Sequence, residues 1–154
     1  SLTLHDTAPT AAILTELLGY EKLGTEGALT RFRATGTGEA NVVDILEDRR
    51  VPRAGQGAGR IHHIAFSVAD DAAEMALRAR LIDAGIAVTP QIDRTYFRSL
   101  YFRTPGGVLF EIATDVPGFA VDEPVEALGT TLKLPAQHEP LRAEIERVLP
   151  PLAA

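Results

Sequence analysis

Ile61-His62-His63-Ile64-Ala65-Phe66-Ser67-Val68 and, further along, Val108-Leu109-Phe110-Glu111-Ile112 are the stretches that decide how this chain folds. Both are short apolar runs of strand length, and both carry a metal-capable side chain in their interior. Side chains alternate across a strand, so parity assigns the faces. His63 falls with the small residues Ala65 and Ser67, opposite Ile64, Phe66 and Val68. Glu111 falls with Leu109 and Ala113, opposite Phe110 and Ile112. Each strand thus has a bulky face suited to packing under a helix and a second face carrying a ligand among mostly smaller neighbours. An unpartnered carboxylate in an apolar strand costs several kcal/mol or stays protonated, so Glu111 calls for a partner.

Outward from these strands the chain reads as one unit written twice. The second unit, 61–115, runs from the His63 strand through Asp70-Asp71 into a helix with Met75, Leu77, Leu81 and Ile82 that stops at Gly85. Strand-like pieces follow at Ala87–Thr89, Ser99–Phe102 and Val108–Ala113, the last after the turn Thr104-Pro105-Gly106-Gly107. The first unit, 1–50, opens with Leu2-Thr3-Leu4. Asp6 or Thr7 is placed to cap a helix carrying Ala11, Ile13, Leu14, Leu17 and Leu18 and ending at Gly19. Strands are then expected at Tyr20–Leu23, Leu29–Ala34 and Ala40–Leu46. The closing strands match in register, Val43-Asp44-Ile45 against Phe110-Glu111-Ile112. A Pro- and Gly-rich linker, 51–60, separates the units. A tail, 116–154, ends in a helix expected over Glu139–Leu149 and packed on the outside.

Bulk properties narrow the function classes. The 154 residues, 45% hydrophobic and 23% charged, can build a real core as one domain or as two small units sharing it. A net charge of −6 without a basic run argues against nucleic acid. No apolar stretch is long enough to span a bilayer, and no signal-peptide pattern is present. With no cysteine, any metal must be held by His, Asp and Glu, and a cytoplasmic location fits.

Tandem βαβββ units, with His in the first strand and Glu in the last, resemble the vicinal oxygen chelate superfamily, which includes glyoxalase I, methylmalonyl-CoA epimerase, antibiotic-resistance proteins and type I extradiol dioxygenases. From Gly59 to Glu123 the chain is most similar to ring-cleaving dioxygenases of hydroquinones and related phenols. The text that carries this is Gly59-Arg60-Ile61-His62-His63-Ile64-Ala65-Phe66, then Ile92-Asp93-Arg94-Thr95-Tyr96-Phe97-Arg98-Ser99-Leu100-Tyr101-Phe102-Arg103, then Pro105 to Asp115 and Pro117-Gly118-Phe119. The fold so implied is α+β: two βαβββ modules forming a curved, incomplete barrel with helices outside.

The resemblance also implies roles. His63 and Glu111 correspond to two ligands of a 2-His-1-carboxylate triad for Fe(II), with Mn(II) the alternative ion. Taken singly, either residue reads as well as a hydrogen-bonded core histidine or a glutamate at a sheet edge. On equivalent faces of the first and last strands they favour a metal together. His62 points away from His63 by parity, and the resemblance gives it an orienting or acid–base role; a satisfied core histidine is the other reading. Tyr101 corresponds to a tyrosine aimed at the metal-bound substrate, against a core tyrosine with a wet hydroxyl. Arg94 suits an anionic phenolate or ring-opened product, and a surface arginine reads equally well. Arg98 and Arg103 read as surface or structural residues, as does Asp44, and His138 as a solvated one. The expected partners are a small aromatic substrate and dioxygen.

One ligand is missing. The first unit has no His at the matching place, since the counterpart of His63 falls before Ser1, and His5 does not match. The chain opens on Ser1 inside an apparent strand, so a longer parent whose N-terminal half supplies the third ligand is expected, and the isolated chain is expected to be inactive unless a homodimer completes the site. A glyoxalase- or epimerase-like metal enzyme, and a metal-free module that binds aromatic drugs, are the competing readings of the same fold.

Overall fold

The computed structural model describes residues 1–35, 41–51, 57 and 61–150. The first half contains β1 (Leu2–Leu4), α1 (Ala8–Ala12), β2 (Tyr20–Glu26), β3 (Leu29–Ala34) and β4 (Val42–Glu47). The second contains β5 (Ile64–Val68), α2 (Asp71–Asp83), β6 (Ile92–Asp93), β7 (Phe97–Arg103) and β8 (Leu109–Pro117). Short 3-10 turns and α3 (Arg142–Val148) make up the tail. Each half forms an unclosed four-stranded sheet of the same topology, β1-β4-β3-β2 and β5-β8-β7-β6, with the first strand parallel to the last and the other pairings antiparallel. This is the expected α+β architecture of paired βαβββ units. Apart from Val51 and Gly57, the linker expected at 51–60 lies outside the described residues, as does Ala40.

Local chemistry explains the helices. In the first half Ala8 N–H bonds Asp6 Oδ1 at 3.1 Å, and Thr7 occupies the cap position without a side-chain cap bond. After Ala12 the helix widens into a π-turn over Ile13–Leu17, closed by Leu18 N–H on Ile13 O, and Gly19 ends it with φ +72°. In the second half Asp70 caps α2 by accepting from Ala73 N–H at 2.9 Å.

Three expected elements are shifted, each for a local reason. The His63 strand begins at Ile64, not Ile61, because pairing with β8 starts at Ile64↔Phe110 and β8 itself starts at Leu109. Val88 makes one bridge, to Phe102, and the paired strand is instead Ile92–Asp93. Pro90, without an N–H, separates the two. The last helix is α only from Arg142; the preceding Ala136–Leu141 is 3-10 and contains Pro140. Val148 and Leu149 of that helix are exposed rather than seated on a sheet.

One core runs through both halves. Leu4, Ile13, Leu14, Phe32 and Ile45 from the first, with Leu81, Leu100, Phe102, Phe110 and Ile112 from the second, form a single buried cluster. Tyr20 meets Phe66 edge-on across the junction, and Arg80 Nη2 donates to Glu16 O at 2.8 Å. The turn before β8 docks on the first half so closely that a Cβ on Gly106 would lie 2.9 Å from Thr10 Oγ1 and 3.3 Å from Leu4 Cδ1. Among the described residues no helix is long and apolar enough to cross a membrane.

Candidate metal centre

The alternation expected of β8 places Phe110 and Ile112 fully in the core, while Glu111 faces the other way. Glu111 is nonetheless only 4% exposed, so its charge is withdrawn from water and must be compensated locally. Two neighbours do this. His63 Nε2 lies 2.8 Å from Oε2, and the Tyr101 hydroxyl donates to Oε1 at 2.5 Å. Tyr101 reaches it because β7 and β8 pair Tyr101 directly with Glu111. His63 stands just ahead of β5, at the end that pairs with Phe110.

An outer layer completes the group. Arg94 Nη2 approaches the Tyr101 oxygen at 3.4 Å, with its guanidinium 5.6 Å from the ring centroid. Ser99, wholly buried, donates to the same oxygen at 3.3 Å. The phenol therefore accepts from two donors while giving its proton to Glu111, a polarised chain that strengthens its own donation. The rings of His63 and Tyr101 meet edge-on with centroids 6.1 Å apart.

His62 departs from the parity expectation. Because β5 starts at Ile64, residues 62 and 63 are free of strand alternation, and their rings come together with Nδ1···Nδ1 at 2.6 Å. One of the two nitrogens must carry the proton. If His63 Nε2 is used as a lone-pair donor, its Nδ1–H points at His62, the partner arrangement that fixes the tautomer of a ligating imidazole.

All five singled-out residues thus converge: His63 and Glu111 touch, Tyr101 bridges to Glu111, Arg94 covers Tyr101, and His62 backs His63. Ser99 was not given a role from sequence, although it shares the face of Tyr101; a small hydroxyl two residues along a strand is the signal that could have found it. Elsewhere, Arg98 pairs with Asp71 at 2.5 Å and Arg103 donates to Gly107 O at 3.1 Å. His138 sits exposed in the 3-10 tail.

The donor set fits a metal in chemistry, a neutral imidazole nitrogen beside a carboxylate oxygen. With a proton on His63 Nε2 the 2.8 Å contact is a hydrogen bond. Among the described residues no group of three His, Asp or Glu side chains is placed to hold one ion. A separate cavity of about 650 Å³ opens between the halves, lined by Tyr20 and Asn41 from the first and by Ala65 to Val68 and Arg80 from the second; His63, Tyr101, Arg94 and Glu111 do not line it.

Comparison with known proteins agrees with this architecture. Residues 2–112 match the Glyoxalase/Bleomycin resistance protein/Dioxygenase superfamily. The chain is 44% identical over 142 residues to the Bacillus subtilis (strain 168) protein named "Putative ring-cleaving dioxygenase MhqO", covering 92% of this chain and 45% of that protein. It is 38% identical over 131 residues to a chlorohydroquinone/hydroquinone 1,2-dioxygenase of Sphingobium indicum, covering 82% of this chain and 40% of that one. A crystal structure titled "putative dioxygenase" from Bacillus subtilis superposes with a TM-score of 0.87 at 41% identity, over 98% of this chain and 49% of its own. The chain spans about half the length of the curated relatives it matches. By sequence and by fold, the chain belongs to the glyoxalase/bleomycin resistance protein/dioxygenase superfamily.

Proposed function

We propose that this chain is the part of a ring-cleaving dioxygenase that supplies two metal ligands, His63 and Glu111, together with the groups that handle protons around the substrate. The substrate class is a hydroquinone- or catechol-type phenol, and the ion is Fe(II), with Mn(II) as substitute. The observation that carries this is the Glu111 carboxylate, buried and shared between His63 Nε2 and the Tyr101 hydroxyl. The relatives named for ring cleavage support the reaction class.

When bound, the ion would supply adjacent coordination sites for the phenol oxygen and dioxygen, and the electron transfer between them. The chain's own residues do the rest. His62 holds the His63 ring by its Nδ1, so that Nε2 stays beside Glu111 Oε2, where the two would hold the ion. Tyr101 stores a proton between its oxygen and Glu111 Oε1 and can deliver it to a substrate oxygen. Arg94 stabilises the phenolate that Tyr101 would become and attracts the anionic substrate or the ring-opened acid. The remaining ligand comes from polypeptide outside these residues, or from a second copy of the chain. The two halves and the tail act as one unit in this scheme, placed in the cytoplasm.

Anaerobic loading with Fe(II), elemental analysis and oxygen uptake test it. In protein whose ligand set is completed by the remaining polypeptide or by a second copy, metal retained but lost in Glu111→Ala, with oxygen consumed in the presence of hydroquinone and not of a thiohemiacetal, is the expected pattern; the chain alone should take up no oxygen. Metal retention equal in the two proteins would sink the ligand assignment. Turnover of the thiohemiacetal without oxygen would move the chain to the glyoxalase-like branch.

A further inference from the structure

Arg94 is held by a loop whose conformation is itself unusual. Thr95, a β-branched residue, has φ +71°, a region such residues avoid. The turn is closed by Tyr96 N–H on Arg94 O at 2.8 Å, Arg94 N–H on Phe97 O at 2.9 Å, and Thr95 N–H on Asp93 Oδ1 at 2.7 Å. A strained turn persists only when its surroundings over-determine it. Those surroundings come from beyond the last strand. The Phe119 ring stacks on Tyr96 at 5.3 Å and 28°, the Tyr96 hydroxyl donates to Asp122 Oδ2 at 3.1 Å, and Gly118 N–H bonds Tyr96 O at 2.8 Å. Tyr96 is thus gripped at its ring, its hydroxyl and its carbonyl by residues 118–122. Phe119 does no core work: it is 63% exposed and borders a cavity of about 500 Å³ shared with Leu128 and Lys133.

We propose that Tyr96, clasped by Phe119 and Asp122, is a positioning residue that sets the strained turn and thereby keeps Arg94 over the Tyr101 phenol. The inference deepens the dioxygenase reading and rests on it for its meaning, but the geometry it concerns is readable in the protein without metal or substrate. Releasing the clasp lets Thr95 relax to ordinary φ, and the Arg94 side chain then spreads over its rotamers.

The test is NMR on the full chain without added metal. Arg94 and Tyr101 signals are assigned through Arg94→Lys and Tyr101→Phe, and the cross-peaks from Arg94 methylene protons to the Tyr101 ring are the readout. In Phe119→Ala these should fall to about a third, as freed torsions sample three staggered wells. Phe119→Tyr, which keeps the stack, should restore them, and Tyr96→Phe, which loses only the Asp122 bond, should lie between. Signals of the distant Arg31–Asp44 pair serve as control and should not move. Unchanged cross-peaks in the folded double variant Tyr96→Phe/Phe119→Ala overturn the proposal, and so does a loss that extends to Arg31. Because no ion is present, the outcome is separate from that of the Glu111→Ala metal experiment.

Discussion

Asp44 in the first sheet and Glu111 in the second occupy the same place in the same topology. Leu2 pairs with Ile45 as Phe66 pairs with Ile112, and Arg31 stands opposite Asp44 as Tyr101 stands opposite Glu111. The treatment of the two carboxylates is opposite. Asp44 receives a bidentate guanidinium at 2.7 and 2.8 Å, a permanent cation that consumes both oxygens and holds its carboxyl below the usual carboxylate range. Glu111 receives a phenol and an imidazole, groups that can give up a proton or a lone pair without leaving. One cross-strand residue therefore decides whether a scaffold carboxylate is closed in an ion pair or held by a neutral phenol and an imidazole.

The largest expected contrast is in metal binding. Glu111→Ala should reduce Mn(II) affinity by more than the roughly 100-fold upper range seen for residues that only orient ligands. Asp44→Ala should leave it unchanged; EPR titration of both proteins reads this directly. An equal loss in the two would mean that the sheets are not functionally distinct.

Next comes Tyr101→Phe, which leaves one oxygen of a buried carboxylate without its donor. Stability should drop by about 1–3 kcal/mol in urea denaturation, the usual cost of an orphaned buried acceptor. A phenylalanine variant as stable as the parent would show that Glu111 does not depend on the phenol.

Helix positions extend the comparison. With Asp70 aligned on Asp6, Glu74 corresponds to Thr10; both are wholly buried, and each keeps one oxygen without a partner among the described residues. Only Glu74 titrates. Burial pushes its carboxyl up from 4.5, offset in part by Gln91 Nε2 donating at 2.5 Å; the Asp71 carboxylate pushes it further up, and Arg98 opposes that. A raised carboxyl binds its proton more tightly in the folded state. Its contribution is therefore complete below pH 4.5 and is lost as pH rises through the folded value. Glu74→Gln should remove that decline and gain about 1 kcal/mol on the alkaline side, as a neutral amide replaces a buried charge. Parallel melting curves of the two proteins across pH would break the assignment.

The smallest effect is expected at Arg31→Ala, since the guanidinium is half exposed. Asp44 is depressed in the folded state, so its contribution exists above pH 3.8 and disappears as pH falls through the lowered value. The variant should be slightly less stable than the parent at neutral pH and match it in strong acid, by denaturation midpoints.

Much of this is legible in the sequence. Period-2 parity alone separated Phe110 and Ile112 from Glu111, because β8 is regular through those residues. The doubled βαβββ order followed from glycine stops and apolar runs that β1–β4 and β5–β8 repeat. Parity failed at His62, where it was applied to three residues that never join the strand; the limit was the start of β8, a property of the partner and not of the segment. The clasp on Tyr96 was illegible for a different reason. It joins residues about two dozen positions apart through a stack and a hydrogen bond, and neither leaves a periodic trace.

Gly106 has a consequence for how this protein can be divided. Its bare α-carbon lets the turn before β8 rest against Thr10 and Leu4, where even a methyl would come within 2.9 Å of a buried hydroxyl. The duplicated halves are consequently not interchangeable cassettes. A chimera that borrows either half from a relative must carry a glycine at 106 and a compact residue at 10 as a matched set, or the seam between the repeats will open.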